Sequence, residues 1–230
     1  MANVNRINGA SPVGYLSGAS WNQQGRTYAI PTSDTTASYA VGDIVRSAGS
    51  SDANGIPYVI KIPAAEASAF VPLGIIVGIS VADAGVSLVG ADLSLSQNYI
   101  LAGTRTNTRY VYVCDDPQIL FEMSGGTTAT NLTLAKARYN AGIGSWYSAA
   151  DQTYAIDQSS YLSTSSPYSN IIIPSGSVAT TASLPIQLIG LVQRSDNAAG
   201  AYSRLLCRWN YHEFGAIGAV PGTTSNAAGH

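Results

Sequence analysis

Short apolar segments that alternate residue by residue, each closed by a turn signal, run through most of this sequence. In RYVYVC, Tyr110, Tyr112 and Cys114 alternate with Val111 and Val113; in QILFEM, Ile119, Phe121 and Met123 alternate with Leu120 and Glu122. Period two in β-branched and aromatic residues is the pattern of a strand, and the intervening Asp115-Asp116-Pro117-Gln118 has turn chemistry, since Asp bonds backbone two residues on and Pro donates no N–H to a ladder. RTYAI, YAVGDIVRS, PYVIKI, PLGIIVGISV, NYILAG, QTYAI, NIIIP, PIQLIGLVQR and YSRLLCRWNYHEF continue the series. Many short strands so punctuated predict an all-β fold, a single β-barrel or β-sandwich of jelly-roll type. Only TNLTLAKARYN, residues 130–140, has helical spacing, so one short helix is the most expected.

The pattern also divides the chain. Residues 1–25 carry isolated apolar side chains among Gly, Asn and Ser, with neither helical nor strand period, and read as an extended N-terminal arm. Residues 26–215 form the β-rich domain, and 216–230 a short flexible C-terminal tail of small residues. Val4, Ile7, Val13, Tyr15, Leu16 and Trp21 are more apolar side chains than a solvated arm needs, which marks them as candidate assembly-interface residues. Removing residues 2–20 is then expected to weaken assembly and leave the stability of the domain unchanged. In the last strand, Leu205, Cys207, Trp209 and Tyr211 should face a core, with Arg204, Leu206, Arg208 and Asn210 on the wetter side.

Composition narrows the partners. Only 10% of the 230 residues are charged, the net charge is −2, and the cations are Lys61, Lys136 and nine scattered arginines, so no basic stripe exists to follow phosphates and nucleic acid is not an expected partner. The longest apolar stretch, Phe70 to Val81, is too short for a membrane span and is broken by Pro72, Gly74 and Gly78. No signal-peptide core opens the sequence, so Cys114 and Cys207, both on apolar strand phases, read as buried free thiols of a reducing cytoplasm, with a disulfide as the competing reading.

Candidates for chemistry are few. Of the two histidines, His230 is the last residue, which leaves His212 as the general acid/base or zinc candidate. Its neighbour Glu213 falls on the opposite strand face, and no metal-ligand spacing links it to Cys114 or Cys207. The Asp115-Asp116 pair could serve a cation only if further oxygens converged on it. Glycoside hydrolysis needs two facing carboxylates, and Glu122 is the lone mid-strand glutamate. NAGIGSW lacks the third glycine of a dinucleotide fingerprint, and no P-loop or nucleophile elbow occurs. The expectation is a chain with no enzymatic activity, cofactor or metal.

Three segments carry a resemblance: NGASPVGYLSGASWNQQGRTYAIPTSD, RYVYVCDDPQILFE and IGLVQRSDNAAGAYSRLLCRWNYHEF, together about a third of the chain. They resemble the head structural proteins of tailed bacteriophages described as capsid decoration or cement proteins. The resemblance implies a virion protein, made and assembled in the bacterial cytoplasm, that binds the major capsid protein on the outer shell and associates with itself as a homotrimer. Lysine-poor, tyrosine-rich surfaces are what interfaces favour, which agrees with that implication. A tail-fibre or carbohydrate-binding β-domain using exposed Tyr and Trp is the alternative.

Overall fold

The computed structural model describes residues 3, 8–62, 70–80, 99–126, 133–145, 169, 171–180 and 182–215. Val4, Ile7, the strand expected at 152–156 and the tail 216–230 lie outside them. The described chain is nearly all β with no α-helix; the helical spacing of residues 130–140 yields one 3₁₀ turn, Leu134–Lys136, before the backbone becomes extended at Asn140.

Two sheets share one body. A five-stranded closed barrel runs in the order β2 (Arg26–Ile30), β5 (Pro57–Lys61), β4 (Ile44–Ser51), β6 (Gly74–Ile79) and β8 (Arg109–Cys114). A six-stranded antiparallel sheet has the order β1 (Ser11–Tyr15), β9 (Ile119–Ser124), β15 (Arg204–Trp209), β14 (Ile186–Leu191), β10 (Asn140–Ala141) and β13 (Val178–Ala179). Two ribbons complete the fold: β3 (Tyr39–Ala40) with β7 (Tyr99–Ile100), and β11 (Gly144–Ser145) with β12 (Ile171–Ile172). The barrel is the expected architecture in outline, but not the double-sheet jelly roll of eight strands. It closes through a parallel pair, β2 beside β5 with Ala29 opposite Tyr58, whereas its other pairings are antiparallel.

Adjacent residues of three barrel strands feed different cores. Val45, Ile76 and Val113 point into the barrel with Tyr28, Ile30, Val59 and Val111. Their neighbours Ile44, Ile75 and Cys114 point out of it, against Ile119, Phe121, Met123, Cys207 and Trp209 of the sheet. Both faces of β6 are therefore apolar, which is why GIIVGI reads as a continuous run rather than an alternation. The last strand follows the expected faces: Leu205, Cys207, Trp209 and Tyr211 are buried, and Arg204, Leu206, Arg208 and Asn210 are half-exposed.

The N-terminal segment departs from the sequence reading. Ser11–Tyr15, read as arm, is an edge strand on β9, with Pro12 opposite Phe121 and Tyr15 opposite Ile119. Ala10 enters the main core, and Tyr15 and Trp21 pack against it. Further upstream, the Asn3 side chain donates to the carbonyls of Ala198 and Ala201, both at 2.7 Å, and accepts from the Ala198 N–H at 2.8 Å. The segment is thus tied to its own subunit at both ends. Removal of residues 2–20 would strip a strand from the sheet, so the expectation of an unchanged domain is corrected: truncation should lower the thermal transition as well.

Candidate functional site

The Asp115-Asp116 pair sits where the chain leaves β8 of the barrel and enters β9 of the sheet. Asp116 does what turn chemistry predicts: its Oδ1 accepts the Gln118 N–H at 2.7 Å. Asp115 does more. It is buried, accepts the Tyr28 hydroxyl at 2.7 Å and lies 3.3 Å from an Arg26 guanidinium nitrogen, so it pins β2 to the end of β8. Burial, with the carboxylate beside it, holds the Tyr28 phenol well above its ordinary range. The two aspartates serve different partners, and among the described residues no three His, Cys, Asp or Glu side chains gather as metal ligands.

His212 lies just beyond β15 and is only 5% exposed. Its Nδ1 accepts the Phe214 N–H at 3.1 Å, and its ring sits 6.0 Å from the rings of both Trp209 and Phe214. Burial among these rings pushes its pKa down to about 4, against the opposing pull of the Leu73 carbonyl and the Asp115 and Asp116 charges. At neutral pH it is an uncharged core side chain.

This has a measurable consequence. The folded-state pKa of about 4 lies below the ordinary 6.5, so the unfolded chain takes up the proton first as pH falls. The His212 contribution is complete above pH 6.5 and is lost on descent toward about 4, a drop of roughly 3 kcal/mol. Denaturant melts across that window should show the wild type losing this much more stability than His212→Gln; parallel curves would show that the imidazole is not the acid-sensitive group.

The remaining sequence candidates are also engaged. Glu122, on the outer side of β9, lies 3.7 Å from Arg204 and 3.8 Å from Arg194. Cys114 and Cys207 are free and buried, and burial raises both thiols, Cys114 to about 11, which leaves no thiolate at neutral pH. Of the assembly candidates, Val13 and Leu16 are 41% and 45% exposed, whereas Tyr15 and Trp21 are half-buried against the core.

Sequence reasoning missed a fully buried carboxylate and its cation. Asp43 is fully buried; its Oδ2 accepts the Lys61 ammonium at 2.5 Å and the Ala40 N–H at 2.8 Å, and its Oδ1 accepts the Ser169 hydroxyl at 2.6 Å. Lys61 also reaches the Ser38 carbonyl at 3.3 Å. Gly42, at φ +94°, turns this corner so tightly that a Cβ there would meet the Asn8 carbonyl at 2.5 Å. The available signal was Lys61 itself, which takes the same strand phase as the buried Val59. A lysine on an apolar phase needs a buried partner.

Two grooves mark the surface around Tyr112. One of about 480 Å³ lies between β1 and the barrel, and one of about 450 Å³ lies over β6 and β8. No helix among the described residues is long and apolar enough to cross a membrane. No protein-family model, no curated protein and no solved structure matches this chain.

Proposed function

We propose that this chain is a non-enzymatic virion structural protein that binds the outer surface of a tailed-bacteriophage capsid and stabilises it, associating with itself as a homotrimer and contacting the major capsid protein. The observation that carries the reading is the exposure of Val13 and Leu16 on and beside the edge strand β1, within one of the segments that resemble decoration proteins. Large apolar side chains held outward by a fixed strand are contact points for another surface. The side chains that could have done chemistry support it: Asp115, Glu122 and Asp43 are each engaged by internal cations or hydroxyls, and His212 is uncharged in the core.

Val13 and Leu16 are already more than half buried, so covering the remainder of each contributes about 1 kcal/mol. Val13→Ser with Leu16→Ser should therefore reduce binding to purified heads by about tenfold or more, with a shift in stability within about 1 kcal/mol because both positions are exposed. Particles carrying the wild-type chain should hold it at a copy number comparable to the major capsid protein. Its absence from virions, or undiminished head binding by the double variant, would overturn the proposal.

A further inference from the structure

The two grooves meet at one side chain. Tyr112 is the outward residue of β8 between Val111 and Val113, which enter the barrel core. It lines both grooves, its ring is 38% exposed, and its hydroxyl makes no hydrogen bond to a described residue. On one side it is joined by Trp21, Asn8 and Gln23, on the other by Tyr110 and Thr27. Gln23 makes no side-chain hydrogen bond to a described residue and keeps its backbone at φ +62°, a conformation that costs a non-glycine residue energy and is found disproportionately at binding sites. None of the side chains lining either groove carries a charge.

We propose that these grooves form one binding site for an uncharged oligosaccharide that crosses Tyr112. The chemistry selects this ligand over the others. An acidic or basic ligand would find no counter-charge in the lining. A peptide strand could not extend β6 or β8, whose edges are already paired within the closed barrel. A purely apolar ligand would cover the Gln23 amide and the Thr27 hydroxyl and leave them unpaired, which is costly. A pyranose matches both kinds of surface: its C–H face rests on an aromatic ring, and its hydroxyls pair with amides and hydroxyls at the edge. Val13 and Leu16, the side chains of the proposed capsid contact, line neither groove, although Ser11, Pro12 and Trp21 of the same segment line one of them.

The test uses the full chain against maltohexaose, cellohexaose, mannohexaose and chitohexaose as neutral probes, with a heparin hexasaccharide as the acidic one. Saturation-transfer NMR and titration should show at least one neutral probe bound. Tyr112→Ala and Gln23→Ala should each weaken that binding about tenfold or more, and Tyr112→Phe, which keeps the ring, should retain most of it with an unchanged melting transition. Val13→Ser with Leu16→Ser should leave it intact, which separates failure of this site from failure of the capsid reading. Retention of no neutral probe, preference for the acidic one, or full binding by Gln23→Ala and Tyr112→Ala would overturn the proposal.

Discussion

Replacing Asp43 with alanine will destabilise the protein by about 3–5 kcal/mol, the usual consequence of stranding one member of a buried ion pair. Asp43 is wholly inaccessible, and Lys61, only 7% exposed, has no other carboxylate within ion-pair distance among the described residues. In a chain of this length the melting temperature should fall by roughly 6–20 °C. The lysine pKa is already drawn below 10.5 by burial, with Asp43 opposing the shift. Without Asp43 the folded state prefers the neutral amine still more. The folded-state pKa lies below the unfolded one, so the variant should gain stability as pH rises toward 10.5, a trend weaker in the wild type. Adding Lys61→Met should recover more than half of the loss, since a paired apolar replacement removes the stranded charge. Melts of the three proteins at two pH values check this, and an Asp43→Ala variant within about 1 kcal/mol of wild type would show that the pair contributes nothing.

Trp209→Ala should cost a comparable amount, about 3–5 kcal/mol. The indole is 3% exposed on β15, its ring centred 4.5 Å from Phe121, and it forms one wall beside His212. Its Nε1–H is buried with no acceptor among the described residues, so Trp209→Phe, which removes that donor and keeps an aromatic ring, should cost far less, under about 1.5 kcal/mol. The alanine variant also opens the His212 pocket. Water entering there should move the imidazole pKa up from about 4 toward 6.5 and flatten the acid-dependent loss of stability. Equal costs for the two substitutions would mean that keeping an aromatic ring at this position does not preserve the stabilising contact.

Local pattern revealed much of this fold. β2, β8, β9 and β15 lie within segments where alternation marks them, and the faces of β15 follow because one side meets a core and the other solvent. Pairing was less legible. Nothing local states that β2 runs parallel to β5, because that contact joins residues far apart in sequence and depends on the closure of the whole barrel. β1 was invisible for another reason: Pro12 and Gly14 break its apolar phase, and Val13 points away from the core, so its strand character is imposed by β9. The candidate site followed the same division. Asp116 behaves as turn chemistry dictates, but the Asp115 partner lies on a strand that only the tertiary fold brings near, and although the apolar phase of Lys61 calls for a buried partner, only the tertiary fold identifies it as Asp43.

The way β1 ends bears on how such a molecule can be crowded without fusing to its neighbours. After Tyr15 the chain doubles back, the Tyr15 N–H donates to the Ala19 carbonyl at 2.9 Å, and Gly14 bridges Ser20. Pro12 has no N–H to offer, and the opposite margin of the sheet, β13, is two residues long. An open strand margin is the template on which chains add to one another without limit, growing into fibres. Here that route is shut at one margin by the chain itself and at the other by brevity. Copies held side by side at high local density would therefore meet through side chains rather than by extending this sheet.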